Sequence, residues 1–274
     1  MPRLPRTLAT LLLILATALP AAAEVVTEEL SWPNPKDGTV VPGTLFYDAA
    51  LARADGTHPA VLFIHARRGL QPADRKYVAE IAAQGFLVLA PDWQGGRFIE
   101  PWPLDHDYAT ELDVALGLDM LKTLKRARPA EKRALYAYSR GGYYATRIAA
   151  GAVEARYKAE VGCIVTIAGH FQDPNKSEPY QVYRYMPEVD QLEVPILMVI
   201  GGDDTEVRLN NNARAYYALA AAGKPAELRG LPMARRAIDF REYVDGSTRT
   251  PEEIVAKKIA RQRSGEFMKR CLSG

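Results

Sequence analysis

The chain has 274 residues, 48% hydrophobic and 25% charged, with 35 basic against 33 acidic side chains. That length is ample for a sizeable buried core. The near balance of charge removes any compositional ground for nucleic acid or an anionic membrane as partner.

The first 23 residues read as a signal peptide. Arg3 and Arg6 give a basic start, Leu8 to Leu19 an apolar stretch, and Ala21-Ala22-Ala23 a small-residue cleavage site before Glu24. The apolar stretch is short for a membrane span and is interrupted by Thr and Pro. Export is expected, to a periplasmic or secreted location, leaving a soluble chain over 24–274 whose length suits one α/β domain. The leader's two arginines account for the whole basic excess.

Beyond the leader, short apolar runs alternate with helical patterns, as in a mainly parallel sheet with helices on both faces. Val25 to Trp32 and Thr39 to Tyr47, joined by a turn-rich Pro-Asn-Pro-Lys-Asp-Gly stretch, predict an antiparallel opening pair. Ala60 to Ile64 predicts a buried strand, Arg75 to Ala83 a helix, and Phe86 to Ala90 a strand closed by Pro91. Tyr108 to Leu124 is a long amphipathic helix. Strands follow at Ala134 to Tyr136, Val161 to Ile167 and Pro195 to Ile200. Leu209 to Ala222 is helical, with Gly223 past its end, and Ala226 to Leu228 begins a last strand. Gln172 to Glu193, polar and Pro-punctuated, predicts either a small cap or a loop with a short helix. Thr250-Pro251-Glu252-Glu253 starts a C-terminal helix through about Gln262, followed by a tail. Cys163 reads as a buried small hydrophobe in its strand. Cys271 lies near the C-terminus, and a disulfide, although allowed in an exported protein, would need a mid-strand residue to meet a mobile tail.

The chemistry concentrates at Ala137-Tyr138-Ser139-Arg140-Gly141-Gly142, between a strand and the helix Tyr143 to Ala150. Small residues flanking a serine at a strand-to-helix turn predict a nucleophile elbow, with the Ser139 hydroxyl exposed at its tip. In open parallel sheets the site forms at the C-terminal strand ends. Two other strand ends carry polar groups: His65-Ala66-Arg67-Arg68-Gly69-Leu70, and Gly201-Gly202-Asp203-Asp204-Thr205-Glu206-Val207. No metal-ligand spacing and no Gly-rich phosphate loop appears, so no cofactor or metal is expected.

In these motifs the chain resembles the α/β-hydrolase fold, and within it the dienelactone hydrolase family, from about Val25 to Phe240. The most specific stretch is His65 to Trp93: a Gly-Leu loop, a helix, Ala-Ala-Gln-Gly-Phe and Leu-Ala-Pro-Asp-Trp, in the family's order. The resemblance implies an α/β fold of the eight-stranded type. It implies Ser139 as nucleophile, Asp204 as the acid orienting a base (with Asp203 its close competitor), and an oxyanion hole from the backbone amides of Arg67 and Arg140. Asp92 reads as anchoring its turn. His65, Arg68, Trp93 and Tyr138 are candidate substrate contacts.

Three departures stand beside it. The family proper has cysteine where this chain has Ser139, and its glutamate after the early strand falls at Ala66. Its histidine belongs after Ala226 to Leu228, where Arg229 to Phe240 contains none. Arginine stays protonated and is no substitute base. Of the four histidines, His170 follows the strand beside the elbow, on the Asp204 side, where one strand spacing is about 4.8 Å; it is a candidate base, or else a structural loop histidine. His65 reads rather as shaping the oxyanion loop. His106 would reach only from an inward-folded loop, and His58 lies at the wrong end of the sheet. Arg67, Arg68, Arg140, Arg235 and Arg236 would suit a carboxylate or phosphate-bearing ligand, or else point to solvent and pair with acids. Two functions follow: an exported serine hydrolase of a small ester or lactone, or a catalytically silent relative binding an anionic small molecule.

Overall fold

The computed structural model describes residues 24–129, 131–176, 184–235, 238 and 248–273. The leader expectation for residues 1–23 therefore lies outside the described residues, as do 177–183 of the expected cap. Strands β1 (Val25–Pro33) and β2 (Val40–Asp48) form the antiparallel opening pair, in register from Val25 opposite Asp48 to Pro33 opposite Val40. Six further strands are β3 (Ala60–Ile64), β4 (Leu87–Pro91), β5 (Arg133–Tyr138), β6 (Val161–Ile167), β7 (Ile196–Asp203) and β8 (Ala226–Arg235). The order across the sheet is β1-β2-β4-β3-β5-β6-β7-β8, parallel from β4 onward.

Every residue of β3, β4 and β5 is buried, which is why these strands are continuous apolar runs rather than alternating ones. Alternate side chains feed two separate cores. Leu62, Leu135 and Ile164 meet helices α2 (Ala109–Thr123), α3 (Gly141–Ala150) and α4 (Glu206–Ala221) on one face. Phe63, Tyr136 and Val165 meet α1 (Pro72–Ala82) and α5 (Pro251–Leu272) on the other.

Several expected boundaries move outward. Helix α1 begins at Pro72, because a Gln71–Asp74 capping box and proline in the first turn start it earlier. Strand β8 continues to Arg235, which pairs across from Asp203. The largest correction is α5, which runs ten residues past Gln262 because Phe267, Met268 and Leu272 are buried against the sheet. The expected mobile tail is thus the C-terminal part of the helix, with Cys271 in its last turn. It brings Cys271 to Cys163, with a Cα–Cα distance of 6.3 Å, and the two form a disulfide. Between Gln172 and Glu193, the described residues are loop and a short 3-10 helix, Pro187–Gln191, whose Val189 is buried.

Candidate active site

The elbow is built by steric exclusion. Ser139 adopts φ 50°, a left-handed conformation that a non-glycine residue holds only when its surroundings impose it. Its N–H donates to Ile167 O at 3.0 Å, and its carbonyl accepts from Gly142 N and His170 N, each at 2.9 Å. The end of β6, the loop after it and the first turn of α3 thereby fix the serine from both sides. A Cβ on Gly142 would lie 2.8 Å from His170 N, so only glycine lets that loop approach.

Ser139 lines a cleft of about 180 Å³ at the C-terminal ends of the strands, together with Arg67, Tyr138, Arg140, His170 and Arg208. Trp102 and Leu104, both exposed, form an apolar part of its rim. The Arg67 carbonyl accepts from Gln94 Nε2 at 2.9 Å and from Trp102 N at 2.8 Å, tying the loop after β3 to the loop after β4. Arg140 directly precedes α3, so its amide lies at the N-terminal end of a helix.

On the other side, Ala168 is also left-handed, at φ 49°. The turn Ala168-Gly169-His170 is held from α4: Arg208 Nη1 donates to Ala168 O at 2.8 Å, and Asn212 Nδ2 to Gly169 O at 3.0 Å. His170 is half-buried in the cleft wall. The Asp204 side chain is fully buried, with Oδ1 accepting from Thr205 N at 2.7 Å and lying 3.9 Å from Arg208 Nε. Asp203 is exposed and belongs to the β7–β8 ladder. Of the two adjacent aspartates, Asp204 is the one turned inward. Arg208 and Asn212 escaped the sequence reading, although Arg208 stands at i+4 from Asp204, a spacing that pairs side chains on a first helical turn.

Two expected substrate contacts lie behind the cleft rather than on it. His65 is 0% exposed and stacks on Trp93, which is 2% exposed, at 4.9 Å and 2° between planes. Trp93 packs in turn on Tyr144, and neither His65 nor Trp93 lines the cleft beside Ser139. Arg68 does line it, but its guanidinium pairs with buried Asp74 at 2.7 Å. Arg235 is committed to Glu253 at 2.6 Å, and Arg236 lies outside the described residues. Arg140 differs. It is 3% exposed, its Nε and Nη1 have no hydrogen-bond partner among the described residues, and burial lowers its pKa.

His106 is buried against Tyr143 and Tyr144, with Nε2 3.0 Å from Glu111 Oε1. Arg147 donates to the same carboxylate at 2.8 Å. His58 pairs with the segment before β5, at the far end of the sheet from the cleft. Asp92 caps its own turn by accepting from Gly95 N at 3.0 Å. Among the described residues no three His, Cys, Asp or Glu side chains are grouped to hold a metal, and no helix is long and apolar enough to cross a membrane.

A mostly parallel eight-stranded sheet with a left-handed serine between strand and helix defines an α/β-hydrolase. Within that class, the profile of the dienelactone hydrolase family matches residues 47–272; the chain belongs to that family and is a hydrolase. A curated relative, YghX of Escherichia coli (strain K12), assigned as a hydrolase fragment, is 33% identical over 89 residues, covering 32% of this chain and 72% of that protein. Among solved structures, a protein assigned as a dienelactone hydrolase from Klebsiella pneumoniae subsp. pneumoniae MGH 78578 superposes with TM-score 0.67 at 20% identity. That match covers 89% of this chain and 98% of the other. The esterase Est22 gives 0.68 at 14% identity, covering 91% and 82%. A dienelactone hydrolase-like promiscuous phosphotriesterase, P91, from metagenomic libraries gives 0.65 at 15%, covering 90% and 98%.

Proposed function

We propose that the protein is an exported serine hydrolase that cleaves a small ester or lactone through an acyl-enzyme on Ser139. The observation that carries this reading is the strained Ser139, held at φ 50° in a cleft wall it shares with His170. His170, from the loop after β6, is the candidate base in place of the family's missing histidine, and Asp204 the buried carboxylate on its far side. In the forward step His170 accepts the Ser139 hydroxyl proton as Oγ attacks the ester carbonyl. The negative charge on the carbonyl oxygen is received by the backbone N–H groups of Arg67 and Arg140, each donor contributing about 3 kcal/mol. Collapse breaks the ester C–O bond, and the departing alkoxide takes the proton from His170. Water then repeats the cycle on the acyl-enzyme and restores Ser139. Arg140, a buried guanidinium whose Nε and Nη1 have no partner among the described residues, lines the cleft next to Ser139 and favours a substrate bearing an anionic group.

Export is supported by the Arg-start, apolar and Ala-x-Ala pattern of residues 1–23 and by the Cys163–Cys271 disulfide, which suits an oxidising compartment. A fluorophosphonate should label Ser139 stoichiometrically, and p-nitrophenyl acetate turnover should vanish in Ser139→Ala. His170→Ala should lower kcat at least about a thousandfold. Full activity in His170→Ala would assign the base elsewhere. Absence of both labelling and turnover in the wild type would leave the second reading, a silent relative binding an anionic small molecule around Arg140.

A further inference from the structure

We propose that His65 is a positioning residue of the oxyanion hole, aiming the Arg67 amide at the reacting carbonyl through a single hydrogen bond to the Ala66 carbonyl. The inference rests on the Ser139 reading above and assigns a role to a buried side chain that the mechanism does not otherwise use.

The imidazole Nδ1 lies 2.7 Å from Ala66 O. A carbonyl oxygen only accepts, so the proton sits on Nδ1. The same oxygen also accepts from Gly69 N at 3.2 Å. No described peptide is cis, so the 66–67 peptide is trans and its C=O and N–H point in opposite directions. Because the imidazole is fully buried, drawing Ala66 O toward it turns the Arg67 N–H away from the core. Ala66 and Arg67 line the cleft beside Ser139, which is the side the amide then faces.

The neighbouring carbonyls are tied as well. Arg67 O is held by Gln94 and Trp102, and Arg68 O accepts from Gln71 Nε2 at 2.8 Å. The orientation of the 66–67 peptide, however, depends on the imidazole and one longer backbone bond. His65 is itself immobilised. Its ring is clamped on Trp93, and Nε2 lies 3.6 Å from Asp92 Oδ1, beyond hydrogen-bond length. Burial lowers its pKa, so the ring stays neutral and retains the tautomer that donates to Ala66.

Two substitutions of similar bulk separate this role from packing. In His65→Asn the side-chain amide reaches the Nδ1 position and donates to Ala66 O. In His65→Gln the amide reaches the Nε2 position, toward Asp92, and does not. With p-nitrophenyl acetate as substrate, His65→Gln should lose roughly 10- to 100-fold in kcat, with KM within about twofold of wild type. His65→Asn should recover most of that loss, and both should show one cooperative melt. A phosphonate inhibitor's inactivation rate should fall in parallel in His65→Gln. Equal kcat in the two variants, or a loss confined to KM, overturns the proposal while leaving the Ser139 reading intact. A wild type that neither turns over the ester nor reacts with the phosphonate overturns both.

Discussion

Gly141 and Ile64 stand so close that a Cβ built on the glycine would lie 2.2 Å from the Ile64 carbonyl oxygen. This contact joins the start of α3 to the end of β3, the two neighbours whose amides flank the cleft. The obstacle is backbone and cannot rotate away. Gly141→Ala is therefore expected to displace the elbow and destabilise the fold by more than about 3 kcal/mol. Urea denaturation measures it. A variant within 1 kcal/mol of wild type, as a rough limit, would mean that the start of α3 and the end of β3 are not held at this distance.

The elbow was legible for this steric reason: small residues at Ala137 and Gly141 mark a turn that tolerates nothing larger. The fold was legible through the family's motif order, and the central strands through their unbroken apolar runs. Side-chain destinations were less so. His65 is polar and follows a strand end, as a substrate contact would, yet its ring turns under the loop because Trp93 offers a flat apolar surface there. Likewise Arg68 reads as a cleft cation until Asp74 neutralises it. The continuation of α5 past Gln262 was not legible, because the stretch after it is rich in charged residues and carries no regular apolar stripe. Buried Phe267 and Met268 hold that stretch helical, and the disulfide follows from it.

The Cys163–Cys271 bridge closes a loop of 108 residues. A disulfide typically stabilises by about 2–4 kcal/mol, and restricting the unfolded chain over a loop this long places it toward the upper end of that range. Cys271→Ser should lose that amount in urea denaturation, and dithiothreitol should bring the wild type to the same curve. The cleft lies at the opposite end of β6 from Cys163, so ester turnover at room temperature should persist. An unchanged midpoint under reduction would contradict the bridge.

Arg235 and Glu253 tie the end of β8 to the first turn of α5. The hydrogen bond from Arg235, aided by the Thr250 amide, holds the Glu253 carboxyl down at about 2, against an ordinary 4.5. A carboxyl depressed in the folded state stabilises fully above its unfolded value, and that contribution is lost as pH falls from about 4.5 through about 2. Arg235 is one-third exposed, so solvent screening reduces the effect to on the order of 1–2 kcal/mol. Glu253→Gln should lower stability at pH 7 and flatten its decline across that acidic window. A parallel decline in both proteins would show that other groups govern acid unfolding.

Arg140 presents a conflict between stability and binding that one substitution resolves. Its guanidinium is buried, and Nε and Nη1 have no hydrogen-bond partner among the described residues, so protein groups there offset only part of the desolvation of its charge. Methionine fills a similar volume and leaves the backbone amide of residue 140 in place. Arg140→Met should therefore stabilise the fold by about 1–2 kcal/mol. The same change removes the cation that would receive an anionic substrate group. Comparing a neutral p-nitrophenyl ester with its carboxylate-bearing analogue, kcat/KM should fall about tenfold or more for the charged ester and stay near wild type for the neutral one. If both esters lose activity equally, the guanidinium supports the elbow rather than the substrate. If the variant is less stable than wild type, its donors are satisfied in solution, and the preference for an anionic substrate loses its physical basis.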